Sequence, residues 1–122
     1  MRWIAAVAAL CLLTDAALAA GQAERFTVIT GGNHVGQLVA TRDGDRVAID
    51  YDVKNNGRGP TIAETLTLGA DGLPVAWTIT GSTTFGSKVD ETFALADGQA
   101  TWKDAVGAGK QALSSPALYI GQ

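Results

Sequence analysis

The clearest pattern in the chain is a strict alternation of apolar and polar side chains over residues 47–54. One side of this stretch carries Val47, Ile49, Tyr51 and Val53, and the other carries Ala48, Asp50, Asp52 and Lys54. A period of two indicates a β-strand with one buried face. A loop rich in Asn, Gly and Pro, residues 55–60, leads into a second alternating stretch. We therefore predict a hairpin here, as the start of an antiparallel sheet.

Shorter alternating stretches precede and follow this hairpin. The further predicted strands cover residues 26–30, 36–42, 62–68, 75–80, 89–95 and 101–103. Turn-forming groups separate them: Gly31-Gly32-Asn33, Asp43-Gly44-Asp45, Ala70-Asp71-Gly72 and Asp97-Gly98. Such residues adopt the backbone conformations that tight turns require. Pairing of consecutive strands predicts an all-β domain, an antiparallel meander that forms a curved sheet, a half-barrel or a small barrel.

The C-terminal part breaks this pattern. Residues 105–116 are small, polar and weakly patterned, which favours a loop or linker, and residues 117–120 then begin a new apolar element. An unpaired apolar strand at a sheet edge promotes aggregation, so natural domains usually cover such edges. We therefore expect the β domain, residues 20–122, to be the front part of a longer protein. A complete, free-standing domain is the alternative.

The first residues have the pattern of an export signal. Met1-Arg2-Trp3 gives a short basic start, residues 4–13 are apolar, and Ala17-Leu18-Ala19 provides the small residues that a signal peptidase recognises. The apolar run is about half the length of a membrane span. We interpret residues 1–19 as a signal peptide, and the mature protein as exported and periplasmic, with no membrane span.

Composition excludes several function classes. The only cysteine, Cys11, lies within the predicted signal peptide, so the mature chain has no thiol for a disulfide or for catalysis. The formal net charge is −3, with charges of both signs interspersed. Because no basic stripe is present to neutralise phosphates, nucleic acid is not an expected partner.

The usual catalytic patterns are missing as well. His34 is the only histidine, whereas catalytic zinc sites normally take three protein ligands, and no Gly-x-Ser-x-Gly motif accompanies it. The Gly-rich stretch 31–36 has no Lys-Ser or Lys-Thr after it, so it is not a phosphate-binding loop. We predict no catalytic residue, no metal site and no cofactor.

Three charged residues are candidate binding residues: Arg58, Glu64 and Glu91. Arg58 lies between two glycines of the hairpin loop, where its guanidinium and nearby amides would hold an anion. Glu64 and Glu91 interrupt apolar faces, and a buried carboxylate must be paired, hydrogen-bonded or protonated. Both could face one concave surface, as anchors for a ligand or as an acid pair. The interpretation that we favour is that all three are solvated, with Arg58 in a turn and the carboxylates at a sheet rim, partnered by Arg58, Lys88 or solvent. The aromatic residues Tyr51, Trp77, Phe93 and Trp102 are expected in the core.

Three segments resemble a known family. Residues 51–65 (YDVKNNGRGPTIAET), 72–81 (GLPVAWTITG) and 85–91 (FGSKVDE) are similar to the N-terminal region of exported bacterial amidohydrolases of the imidazolonepropionase-like kind. The resemblance covers most of the predicted mature chain. It implies an accessory β region ahead of a metal-dependent catalytic barrel that opens with a His-x-His pair. No such pair is present here, so no catalytic residue carries over.

Two hypotheses of function follow. The first is an exported, non-catalytic β domain similar to the accessory region of a periplasmic amidohydrolase, whose partner is a C-terminal catalytic domain. The second is a free-standing half-barrel that binds a small apolar or lipidic ligand on its concave face. A purely structural envelope protein is a third class.

The interpretation of residues 1–19 predicts a mature N-terminus at Ala20. When the full chain is expressed in a bacterium with an export system, intact mass spectrometry of the soluble protein should give the mass of residues 20–122. A soluble species that retains Met1 would contradict the prediction.

Overall fold

A computed structural model describes residues 21–121 of the chain. The signal-peptide interpretation of residues 1–19 falls outside the described residues. Within them lie eight strands: β1 (Gln22–Thr30), β2 (Asn33–Asp43), β3 (Arg46–Val53), β4 (Thr61–Leu68), β5 (Pro74–Ser82), β6 (Lys88–Ala96), β7 (Gln99–Lys103) and β8 (Ala108–Ala112). No helix in this part of the chain is long and apolar enough to cross a membrane.

The strands form one antiparallel sheet in which each strand pairs with the next along the chain, in the order β1 to β8. The predicted all-β meander is therefore confirmed. Because the order runs from β1 at one edge to β8 at the other, the sheet is open, and the small-barrel alternative is wrong. Gly, Asn and Asp occupy the predicted turns, with left-handed backbone at Gly44, Gly72 and Asp97.

The C-terminal part differs from the prediction in two ways. Strand β8 lies inside the stretch predicted to be a loop or linker, and it pairs with β7 so that Gly109 faces Trp102. A side chain at Gly109 would overlap the indole of Trp102, so a glycine is needed where the ring crosses β8. Residues 117–120, predicted to begin a strand, form none.

The strand register gives the sheet one apolar face and one polar face. Apolar side chains in neighbouring strands lie opposite each other, as in Leu38–Tyr51–Ile62 and Leu66–Trp77–Phe93. The polar face carries mainly threonines and charged residues. Its members include Thr65, Thr78 and Thr92, and also Asp50, Asp52, Asp90 and Lys103. This arrangement agrees with the alternation in the sequence.

Only part of the apolar face is covered. The buried apolar residues lie on β4 to β7: Leu66, Ile79, Val89, Phe93 and Ala100. Residues 113–121, called here the C-terminal segment, lie against this part, since Tyr119 contacts the ring of Phe93. No residue of β1, β2 or β3 is buried, and the side chain of Phe26 is 53% exposed. We call the apolar-face side chains of β1–β3, together with Ile62, the open half.

Gly81 brings β4 and β5 close together. Its φ of 140° is rare for other residues, and a Cβ atom there would overlap the backbone carbonyl of Thr61. It lies opposite Ile62 on β4 and Val89 on β6, so strain at Gly81 would affect the pairing of the neighbouring strands β4, β5 and β6.

We expect Gly81→Ala to lower the free energy of unfolding by about 2 kcal/mol or more, because strain and a backbone clash act together. Urea denaturation of the mature domain measures the change. The matched control is Gly86→Ala, which also has a positive φ (84°) but no atom within 4 Å of the added Cβ. In this control the free energy of unfolding should fall by about 1 kcal/mol. Equal losses for the two variants would show that the close approach at Gly81 is unimportant.

Candidate functional site

Glu64 and Glu91 lie on the apolar face in one row across the sheet. Glu64 of β4 is paired with Ile79 of β5, and Ile79 is paired in turn with Glu91 of β6. Two strand spacings put their Cα atoms about 10 Å apart. The two carboxylates therefore share a face, and one isoleucine separates them. Neither lies at a rim of the sheet.

Glu91 is the most deeply buried charged residue among residues 21–121, with 3% of its surface exposed. The hydroxyl of Tyr119 donates a hydrogen bond to its Oε2 atom at 3.0 Å. The backbone of the C-terminal segment also comes close, since a Cβ atom at Gly121 would lie 3.3 Å from the same oxygen. Glu91 thus connects the sheet to the segment that covers it.

Aromatic rings surround this hydrogen bond. The ring of Tyr119 stacks on Phe93 with centroids 5.1 Å apart and planes inclined by 18°. It also makes an edge-to-face contact with Trp77, with ring centroids 6.1 Å apart and planes inclined by 74°. Both arrangements are favourable for aromatic pairs and contribute about 1 kcal/mol each beyond burial. Tyr119 therefore fixes the C-terminal segment through one polar and two aromatic contacts.

The same surroundings change the acidity of Tyr119. Burial, and then the hydrogen bond to the carboxylate of Glu91, raise the pKa of Tyr119 to about 12. Both causes disfavour a phenolate, because it would be poorly solvated and would repel the carboxylate. The hydroxyl therefore keeps its proton, which it donates to Glu91, over the whole physiological range.

Glu64 has a different environment, at the border between the covered part and the open half. Trp77 Nε1 donates a hydrogen bond to its Oε2 atom at 2.9 Å. Its side chain is half-buried, and its cross-strand neighbours are Ile49 and Ile79. No ion pair among residues 21–121 includes Glu64. The ion pairs Lys54–Asp52, at 2.7 Å, and Lys88–Asp90, at 3.0 Å, lie on the polar face.

A cavity of about 350 Å³ lies between the C-terminal segment and the end of the sheet near β8. Its floor is formed by Phe93, Ala100 and Trp102, and Leu113 and Ala117 belong to its roof. No charged side chain lines it. Its lining is thus mainly aromatic and aliphatic, unlike the surroundings of Glu64.

The third candidate, Arg58, lies apart from both glutamates in the β3–β4 loop. Its backbone forms two hydrogen bonds with Asn55, which close the turn. The guanidinium makes no hydrogen bond or ion pair within the described part of the chain. His34 is exposed, and its Nε2 atom lies 2.8 Å from the carbonyl oxygen of Gly36. No group of three His, Cys, Asp or Glu residues in positions 21–121 could hold a metal ion.

The actual partners of the two glutamates were not predicted from the sequence. Trp77 was assigned to the core, and Tyr119 to a new strand, whereas both donate hydrogen bonds to the carboxylates. Of the basic partners considered, Lys88 pairs with Asp90, and the guanidinium of Arg58 contacts neither glutamate within residues 21–121. The presence of two ring donors close to Glu64 and Glu91 follows only from the strand register and from the course of the C-terminal segment.

The arrangement suits binding. Each carboxylate already accepts a hydrogen bond from a neutral ring donor, and each lies on an apolar surface. Such groups orient a ligand or a chain segment that packs on the surface. No known protein family, no curated protein and no solved structure matches this chain.

We expect Tyr119→Phe to lower the free energy of unfolding by about 1–3 kcal/mol at neutral pH, because Glu91 loses a donor. The parent should also lose stability as the pH rises from about 10 to about 12. In that range the unfolded chain releases the Tyr119 proton and the folded protein retains it. Urea denaturation at several pH values measures both effects.

The matched control is Tyr51→Phe, on the same face but with no hydrogen bond from its hydroxyl to residues 21–121. Its free energy of unfolding should equal that of the parent at neutral pH and should fall in the same way above pH 10. If both variants show the same alkaline profile, Tyr119 does not anchor the segment.

Proposed function

We propose that residues 20–122 form an exported, non-catalytic β domain that acts as an accessory packing module for a catalytic domain. The resemblance of residues 51–65, 72–81 and 85–91 suggests a metal-dependent amidohydrolase of the periplasm as the enzyme. In this proposal the β domain supplies a folded surface, and the catalytic domain supplies the metal and the hydrolysis of a C–N bond.

The observation that carries this proposal is the outer side of the C-terminal segment. Burial alternates along it: Ala117, Tyr119 and Gly121 are half-buried against the sheet. Leu118 and Ile120 border the cavity near β8, but 62% and 77% of their surfaces are exposed. Two large aliphatic side chains two residues apart on an extended apolar surface are typical of a contact with another protein layer. The proposal assigns that layer to the catalytic domain.

The first test is to read the coding sequence beyond Gln122. We expect further β structure and then a barrel that opens with His-x-His. The longer protein should contain zinc or a similar metal and should hydrolyse amide substrates, whereas residues 20–122 alone should not. A stop codon directly after Gln122 would contradict the proposal.

The second test asks whether Leu118 and Ile120 are covered in the longer protein. In isolated residues 20–122, Leu118→Ser and Ile120→Ser should change the free energy of unfolding by less than about 0.5 kcal/mol, since both residues are exposed. In the longer protein each substitution should lower the free energy of unfolding by about 2 kcal/mol, because a buried aliphatic side chain is lost.

The controls for this test are Phe85→Ser and Val106→Ser, at strongly exposed apolar residues in the β5–β6 and β7–β8 loops. They should be neutral in both proteins. If all four substitutions behave alike in the longer protein, the C-terminal segment is not the contact surface.

A second candidate function is supported by a different surface. The open half has the exposed Phe26 and the half-buried Leu38 and Tyr51 on the same face as the half-buried Glu64. An apolar surface with one oriented polar group is the usual composition of a small-molecule site. In this alternative the domain is a half-barrel that binds a small apolar or lipidic ligand. The two functions use different surfaces and are compatible.

A further inference from the structure

The charges on the apolar face are strongly unbalanced. The strand register places three carboxylates on this face, those of Glu24, Glu64 and Glu91. On β1 to β6 the register gives it one basic residue, Arg42, two residues from Ala40 on β2. The Nε atom of Arg42 donates to the carbonyl of Gly44, in the adjoining turn, and not to a carboxylate. The face is therefore complementary to a cation.

Glu64 is the carboxylate best placed to receive one. It lies beside the open half, its Oε2 atom accepts from a neutral indole, and no cation of residues 21–121 pairs with it. Its neighbours across the strands are isoleucines, so solvent screens an approaching charge less than at an open surface. An ammonium group would add a charge-assisted hydrogen bond, which is roughly twice as strong as a neutral one.

The open half continues from Glu64 toward the β1 edge. Ile49, Ala40 and Glu24 follow Glu64 in the same row. Leu38 and Phe26 lie in the neighbouring row, two residues further along β2 and β1. Three strand spacings, together with the offset of two residues along β1, put Phe26 about 16 Å from Glu64, which an extended alkyl chain of about twelve to thirteen carbons covers. A charged head at Glu64 and an apolar tail toward Phe26 would therefore match the surface.

We infer that the open half is a binding site for a cationic amphiphile, with the ammonium head paired to Glu64 and the alkyl tail packed across β3, β2 and β1. This inference rests on the ligand-binding alternative of the proposed function, and it specifies the class of ligand. The indole of Trp77, hydrogen-bonded to Glu64, holds the carboxylate in place and also lies close to the head group. An indole face attracts cations as well.

Binding is tested with three probes that share a twelve-carbon chain: dodecylammonium, dodecanoate and the neutral dodecyl maltoside. Each is titrated below its critical micelle concentration into residues 20–122, with circular dichroism as a check that the sheet stays folded. Calorimetry gives the affinity. Fluorescence of the Trp102→Phe protein, in which Trp77 is the only tryptophan of the mature domain, reports on the head-group site. We expect dodecylammonium to bind most tightly and to change the Trp77 emission.

Two charge-neutralising variants separate the head-group contact from net charge. Glu64→Gln keeps an acceptor oxygen for Trp77 and should weaken dodecylammonium binding about tenfold or more, with dodecyl maltoside unchanged. Asp50→Asn removes the same charge from β3 on the opposite face, one strand away. It should leave both affinities as in the parent. Phe26→Ser should weaken both probes, because it shortens the apolar surface.

The outcomes distinguish the inference from the function on which it rests. Equal affinity for the three probes, or equal losses for Glu64→Gln and Asp50→Asn, would overturn the cation assignment and leave an apolar ligand site. Absence of binding for all three probes would overturn the ligand-binding alternative itself, and with it the inference. The accessory-module proposal does not depend on either result.

Discussion

The hydrogen bond from Tyr119 to Glu91 is the contact on which the arrangement of this domain depends. A single sheet cannot bury an apolar face by itself, and stable domains place a second layer against it. Here the described second layer is short: the C-terminal segment, held by Tyr119 against Glu91, Phe93 and Trp77. Where the segment lies, side chains of the sheet are buried, and at β1 to β3 none is. The division of the face into a covered part and an open half follows from this one anchor.

Most of the sheet was predictable because short stretches of sequence determine its strands and turns. A period of two in the sequence indicates which residues share a face, and Gly and Asp at the turns indicate where the chain reverses. Strand β8 was missed because Ala108–Ala112 consists of small and polar residues with no alternation. Its position is determined by pairing with β7 and by the need for a glycine under Trp102, and neither is visible in a local pattern. Residues 117–120 form a short apolar run, which suggested a new strand, but they lie on the face of the sheet and pair with no strand.

The candidate site was predictable to a smaller extent. Glu64 and Glu91 were found because a carboxylate in an apolar row is unusual, and the register places them on one face. Their donors lie 13 and 28 residues away in the sequence, so they depend on contacts that no short motif encodes. Arg58 was chosen for its glycine neighbours, which serve the geometry of the turn instead. The rule that a buried carboxylate needs a partner was correct, but it does not identify the partner.

The order of the strands has a consequence for how the protein folds. Each strand pairs only with its neighbours in sequence, so the sheet has low contact order and forms by addition of successive hairpins. Hairpins form within microseconds, and no slow long-range pairing precedes them. The contact of Tyr119 with Glu91 spans 28 residues and requires β6 to be in place, so we expect the C-terminal segment to dock after β6 has formed. During synthesis the apolar side chains around Glu91 thus stay exposed to water until residues 113–121 have been made and can cover them.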